Sequence, residues 1–438
     1  MREGKGASGP STRPPGEEMA SGDSRRIGKA FAALRGRPEL RPLASITKRQ
    51  GIGVWVVGGA VRDLALGLEV PEIDVAVTRD AERIAHALEQ TGGGRAVFIS
   101  RDRPGPRVYR VAGNRSLDVA EIEGGSIEAD LARRDFTVNA VAVDLHTGRI
   151  VDPFGGLTDL ASRRLRCVRQ RNLSEDPLRA LRAARFIATH GLRPDPAVLA
   201  ASRRASPGLR NVASERIAAE LSRLLGSVAA APALGWAARA RILPAALGLH
   251  LSDARARAVA RGLCAADDRG VRRLPAARRR RLRLALLALR LRLKPADARR
   301  WLRERRWGRL EADEVARIMA LSDAARKVRT RRDAWRWVLE AGSLAEDALL
   351  LLARRNARTP PTVRRLERLR KIRRRAVRVR GDDIVRWLDI PPGPAVGAWL
   401  AEIAVAAAMG EIRNRPEARN WLIGQVRNRL SAAIISAH

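Results

Sequence analysis

Cysteine is nearly absent from this 438-residue chain, where Cys167 and Cys264 are the only two. Two thiols without metal-ligand spacing exclude a disulfide framework and a cysteine-based metal centre, and they fit a reducing cytoplasm. The five histidines are scattered and none adjoins an aspartate, which argues against a histidine-based metal phosphohydrolase. No apolar run approaches the ~20 residues that a membrane helix needs. Residues 1–36 are rich in Gly, Ser, Pro and Arg and hold no apolar stretch of signal-peptide type. They are expected to form a disordered leader. Lysine is scarce as well, with six in the whole chain.

Arginine takes its place. Lys and Arg together number 85 against 47 Asp and Glu, a formal charge of +38. Such an excess predicts an anionic partner, nucleic acid before membrane surface. An arginine- and alanine-heavy composition also follows from a GC-rich genome, so the charge by itself leaves both explanations open.

The segment Val56-Val57-Gly58-Gly59-Ala60-Val61-Arg62-Asp63 is an apolar run that ends in two glycines. Without a Cβ the backbone can turn closely around a phosphate. Glu72-Ile73-Asp74-Val75 follows and reads as a strand. The side-chain period of two puts Glu72 and Asp74 on one face and Ile73, Val75 and Val77 on the other. Two acids on a strand face beside a glycine turn suit a divalent metal held next to a triphosphate; an ordinary turn and a solvated strand face is the plainer reading. Asp118, in the strand-like Leu117-Asp118-Val119-Ala120, could supply a third acid. Arg133-Arg134-Asp135-Phe136-Thr137-Val138-Asn139-Ala140 then places polar groups between apolar ones, with Phe136 and Val138 read as core.

A helix is expected from Asp176, a favoured N-cap type, with Pro177 at the first helical position. Arg179, Arg182 and Arg185 recur at intervals of three and share a face, while Leu178, Leu181 and Phe186 can face a core. A basic solvated face is the bland alternative. One chemical property goes further. A carboxylate only accepts hydrogen bonds and a guanidinium only donates. Asp176 taking an exocyclic amine and Arg179 donating to a ring nitrogen would accept A and C and reject G and U.

Taken together, these motifs resemble the family of class II tRNA nucleotidyltransferases and bacterial poly(A) polymerases. The resemblance runs from about Val54 to Leu225 and includes Asp152-Pro153-Phe154-Gly155-Gly156 and Ser214-Glu215-Arg216-Ile217-Ala218-Ala219-Glu220-Leu221. One departure stands out, since the family's metal strand carries Asp-x-Asp and the first acid here is Glu72. The resemblance implies that Glu72 and Asp74 hold Mg²⁺, with Asp118 as a further ligand or as the group that orients the attacking hydroxyl. It implies that Gly58, Gly59 and Arg62 cradle phosphates, with Asp63 holding Arg62. Arg134, Asp135 and Asn139 would check the ribose 2′-hydroxyl. Asp176 and Arg179 would read the base, and Arg182 and Arg185 would reach the triphosphate. The implied activity is template-independent addition of CCA to tRNA from CTP and ATP in the cytoplasm. Polyadenylation, CC-only or A-only addition, and an RNA-binding protein without catalysis are the alternatives. Neither a membrane nor an obligate protein partner is called for.

The implied fold class is α+β. A small nucleotidyltransferase head with a β-sheet spans 37–156, followed by an all-helical neck over 157–226 and a helical body and tail over 227–438. Strands are expected at 54–57, 73–77, 96–99, 108–111, 117–120 and 140–144, with a helix at 80–90 and a proline-glycine turn over 101–107. Arg278-Arg279-Arg280-Arg281 and Lys371-Ile372-Arg373-Arg374-Arg375 are read equally as solvated helix surface or as phosphate contacts. Trp301, Trp307, Trp335 and Trp337 read as core. Gly381-Asp382-Asp383-Ile384, the stretch Ile390 to Gly397, and Gly410-Glu411-Ile412-Arg413-Asn414-Arg415 resemble the tail of tRNA-dedicated members, which supports the tRNA elbow.

Overall fold

The computed structural model describes residues 28, 31–99, 106–113, 116–355, 361–371 and 377–435. Most of the expected leader, most of the 101–107 turn and the 372–375 arginine run lie outside these residues. Two compact units emerge. The first holds the described residues up to Leu224 together with 228–260, and the second holds 225–227 together with those from Arg261 onward.

In the first unit a seven-stranded sheet runs in the order β3-β4-β5-β2-β1-β6-β7. Its strands are β1 (Val54–Val57), β2 (Glu72–Val77), β3 (Arg95–Phe98), β4 (Val108–Ala112), β5 (Ser116–Glu121), β6 (Ala142–Asp144) and β7 (Ile150–Val151). All neighbours are antiparallel except β2 and β5, which run parallel with Asp74 opposite Asp118. The alternation in β2 holds as expected. Ile73, Val75 and Val77 are buried in one core with Val54, Val56, Ile84, Leu88, Val119 and Val143. Ala76 belongs to the opposite face with Val57, Ile127, Leu131 and Ala142. The helix Ala81–Gln90 covers the first of these cores through Ile84, Ala85 and Leu88.

Two boundaries move. Phe31 and Leu34 are buried in the head core at 2 % and 0 % exposure, so the ordered head begins inside the expected leader. Their apolar side chains supply burial that the polar composition of 1–36 concealed. The expected end of the neck at 226 also shifts. The helix Ala230–Arg239 packs on Leu178–His190 with Leu234, Trp236 and Ala237 buried, which carries the first unit to Ala260.

The second unit is built of helices among its described residues. One core gathers Trp335, Trp337, Leu349, Leu352, Leu366 and Val405, and another gathers Ile384, Val396, Ile403 and Leu422. Trp301, Trp307, Trp335 and Trp337 are all buried, as their spacing suggested. The run Arg278–Arg281 is neither idle surface nor open to phosphate. Arg278 pairs with Asp347 at 2.5 Å, Arg280 with Glu311 at 2.5 Å and Arg281 with Glu314. Arg279 donates to the carbonyls of Gly226 (2.8 Å) and Arg272 (3.0 Å).

Candidate active site

A cavity of about 320 Å³ opens in the first unit over the polar face of β2 and β5. The parallel register sets Asp74 and Asp118 side by side, and both line it. The turn Gly58-Gly59 borders the same space. Gly58 has φ +67°, a backbone that favours glycine, and a Cβ there would fall 2.6 Å from Nη1 of Arg134 and 3.6 Å from Oδ2 of Asp74. Glycine is therefore needed for its conformation, and a Cβ would also push on the tip of Arg134.

Arg134, Asp135 and Asn139 complete one wall, and Arg179 and Arg182 come from the helix Leu178–His190. That helix starts much as its sequence implied. Asp176 Oδ1 accepts from the Leu178 amide at 3.2 Å and the Asp176 carbonyl accepts from the Arg179 amide at 2.9 Å. Regular helix begins two residues later than the expected cap, at Leu178.

Of the residues singled out in the sequence, Gly58, Gly59, Asp74, Asp118, Arg134, Asp135, Asn139, Arg179 and Arg182 line the cavity. Glu72, Arg62, Asp176 and Arg185 do not, for reasons visible in their contacts. The Glu72 side chain is 54 % exposed and lies 3.7 Å from Nη2 of Arg110. Arg62 is buried, pairing with Asp63 at 2.7 Å and donating to Oδ1 of Asn139 at 2.6 Å. Its expected hold by Asp63 is present, while its guanidinium supports Asn139 from behind the cavity wall. Asp176 gives Oδ2 to Arg216 at 2.9 Å. Arg185 is buried against Glu220 at 2.6 Å, which takes it away from any triphosphate in the cavity.

The buried polar groups form a connected set. Asn139 Nδ2 donates to Asp135 at 2.8 Å, and Asp135 pairs with Arg182 at 2.8 Å. His190 reaches Asp63 at 3.2 Å. Phe186, fully buried, sits among three guanidinium groups, those of Arg185 (4.1 Å), Arg62 (5.0 Å) and Arg182 (5.9 Å from the ring centre). A buried charge must be paired, and here each arginine has both an acid or amide and an aromatic face.

The electrostatics follow from these contacts. Burial pushes the Asp74 carboxyl up, Arg134 opposes this, and Asp118 and Glu72 add repulsion; the net direction is upward. Burial would also raise Asp135, but Arg182 and Asn139 outweigh it and hold that carboxyl below the usual range. Burial brings the Arg185 guanidinium down to about 10 despite Glu220, so it stays protonated at neutral pH.

Four residues at or beside the cavity were not anticipated. Arg133 and Glu121 line the cavity. Asp130, which also lines it, fastens Arg133 at 3.3 Å and Arg134 at 3.0 Å. Its position three and four residues before those arginines was the available signal. Arg110 grips Asp118 through both carboxylate oxygens, at 2.7 and 2.8 Å, and lies 3.7 Å from Glu72. No local spacing announces that pair, because it crosses from β4 to β5. Among the described residues no cluster of three His, Cys, Asp or Glu is gathered for a metal. Asp118, the expected third acid, is committed to an arginine in this structure.

Residues 54–166 match the Poly A polymerase head domain family. The chain is 30% identical to a CCA-adding enzyme of Geobacillus stearothermophilus over 409 residues, covering 87% of this chain and 95% of that one. It is 39% identical to a CC-adding tRNA nucleotidyltransferase of Geobacter sulfurreducens over 190 residues, a match that spans 43% of this chain and only 44% of that relative. The crystal structure of the Bacillus stearothermophilus CCA-adding enzyme in complex with CTP superimposes with a TM-score of 0.68 at 28% identity, over 90% of this chain and 100% of the other. The chain belongs to the family of tRNA nucleotidyltransferases and poly(A) polymerases.

Proposed function

We propose that this protein is a template-independent RNA nucleotidyltransferase that adds or repairs the 3′-terminal CCA of tRNA from CTP and ATP, working in the cytoplasm. The observation that carries the reading is the cavity in which Gly58, Asp74, Arg134, Arg179 and Arg182 meet. Likeness to a CCA-adding enzyme over 87% of the chain supports the choice of product.

The donors fit an oxygen-preferring Mg²⁺. Asp74 lies in the cavity wall and makes no direct ion pair among the described residues, and Glu72, two residues before it on the same strand, is exposed. Bound there beside the triphosphate, the ion would lower the cost of charge on the attacking hydroxyl and the leaving pyrophosphate. The chain's own groups would do the rest. Gly58 and Gly59 let the backbone approach phosphate oxygens, and Arg182, anchored by Asp135, offers its remaining donors to them. Arg134, braced by Asp130, and Asn139, braced by Arg62, are set in position before any ligand arrives. Arg179 is fixed by the carbonyls of Arg133 (2.8 Å) and Asn172 (3.0 Å), so a base donor would be held in a fixed place. Such a site discriminates through groups left unpaired by the wrong base.

In the second unit a cavity of about 780 Å³ brings together Asp382 and Asp383 from one tail motif and Arg413, Asn414 and Arg415 from another. Arg378, Arg380 and Arg386 join them, a lining suited to the phosphates of tRNA.

A tRNA ending at its discriminator base, incubated with each labelled NTP and then sequenced, tests the reading. CTP alone should add two C, CTP with ATP should add CCA, and extension should then stop. Arg179→Ala should cut CTP and ATP use together and admit UTP or GTP; Asp176→Ala should do the same if Asp176 exchanges Arg216 for the base when nucleotide binds. Unlimited A addition without C would sink the reading in favour of polyadenylation. A stop at CC in the presence of ATP would favour the CC-adding alternative, which the Geobacter sulfurreducens likeness supports.

A further inference from the structure

Arg110 is a cation placed among acids on the same sheet face. The register pairs Arg110 with Asp118 across β4 and β5, and Asp118 with Asp74 across β5 and β2. The guanidinium uses Nε on one Asp118 oxygen and Nη2 on the other, a two-pronged fit that fixes the carboxylate plane. Nη2 also lies 3.7 Å from Oε1 of Glu72. The Asp118 side chain is only 13 % exposed, so its pair is poorly screened by water, whereas that of Glu72 is 54 % exposed.

We propose that Arg110 is a positioning residue that withholds Asp118 from divalent-ion coordination, leaving the ion to Asp74 and Glu72. Two consequences follow from the charges. With both Asp118 oxygens occupied, the site offers two carboxylates in place of three, and the free protein holds a divalent ion weakly. The ion then arrives mainly with the triphosphate, whose oxygens supply the missing ligands. Arg110 thus sets how far ion binding depends on nucleotide. The inference rests on the reading of β2 as the metal strand.

Mn²⁺ affinity of the nucleotide-free protein, read from the electron paramagnetic resonance of unbound Mn²⁺, tests it. Arg110→Leu should tighten Mn²⁺ binding about tenfold, since a unit charge within a few ångströms is removed and a carboxylate is freed. Arg110→Leu combined with Asp118→Asn should return the affinity to within about threefold of wild type, because the freed ligand is gone. Arg110→Lys keeps the charge but loses the two-oxygen grip, and should tighten binding by about threefold. Unchanged or weaker binding in both Arg110→Leu and Arg110→Lys would overturn the proposal. So would a double variant that keeps the full gain, since its net charge equals that of wild type and the gain would then owe nothing to a freed Asp118 carboxylate. Asp74→Ala should abolish Mn²⁺ binding at the site in every background. If it does not, the metal-strand reading falls and the clamp with it; if it does and the Arg110 variants show no gain, the clamp alone is wrong.

Discussion

The cavity of the first unit is lined by Arg133, Arg134, Arg179 and Arg182 against five acids, Asp74, Asp118, Glu121, Asp130 and Asp135. The cavity of the second unit has Arg378, Arg380, Arg386, Arg413 and Arg415 against only Asp382 and Asp383. A chain with a net charge of +38 thus keeps an excess of acid where nucleotide chemistry would occur. A triphosphate that comes with a divalent ion needs carboxylates for the ion as well as arginines for the oxygens. Nucleic-acid backbone needs only cations. Even in the second cavity not every arginine is available, since Arg386 and Arg415 are tied to Asp383, which also accepts from the Arg380 amide at 2.9 Å. Arg378, Arg380 and Arg413 have no ion pair among the described residues. The run Arg278–Arg281 makes the same point more strongly, being tied up by Asp347, Glu311, Glu314 and backbone carbonyls. Charge counts describe the chain. Unpaired charge describes what it can bind.

The contrast can be broken most severely at Asp74. Asp74→Ala should lower nucleotide transfer on the order of a thousandfold, several kcal/mol of transition-state stabilisation, with RNA affinity little changed. Single-turnover rates beside a filter-binding measurement would show it, and a comparable loss of both would erase the distinction between the cavities. A smaller effect should come from the tail. Arg380→Ala with Arg413→Ala should weaken tRNA binding by about tenfold and reduce the slope of log affinity against log salt by about 1–2, with CTP affinity intact. An unaltered slope would remove the phosphate role of that cavity.

The mildest test uses protons. Burial lowers the pKa of His190 against the pull of Asp63. The unfolded chain therefore binds the proton more readily, so stability is full above about pH 6.5 and declines as pH falls from there towards the folded value. Asp63 and Asp135, both held below the usual carboxylate range, act only below about pH 4. No described residue of the second unit is a histidine. The urea midpoint should drop modestly between about pH 8 and pH 5.5, and His190→Gln should flatten that drop; an equal drop in the variant would place the titrating group elsewhere.

Much of the head was legible because local patterns decide it. The alternation of Ile73, Val75 and Val77 with Glu72 and Asp74 fixed both a core and an acidic opposite face. The expected strands at 54–57 and 117–120 lie within or coincide with β1 and β5 for the same reason. The helix Leu178–His190 followed from its cap, its proline and its three-residue spacing. Illegible were partnerships between distant residues. Arg185 looked like a phosphate ligand until folding set it against Glu220, and Arg62 lies behind Asn139 rather than in the cavity. Arg110 carried no signal at all, since only the register of two strands brings it to Asp118. Periodicity reports which face a side chain occupies; it does not say who else stands there.

The parallel pairing of β2 with β5 has a consequence for how this site can change. Asp74 faces Asp118 because the two strands run in step from Glu72 opposite Ser116 to Val77 opposite Glu121. A point substitution alters one side chain, but one residue gained or lost in β5 before Asp118 would exchange the two surfaces of the strand. Asp118 would then be driven among Val75, Val111 and Val143, and Leu117 or Val119 would take its place in the cavity. The spacing between the acids is thus written as a reading frame, tolerant of new letters and intolerant of a shift.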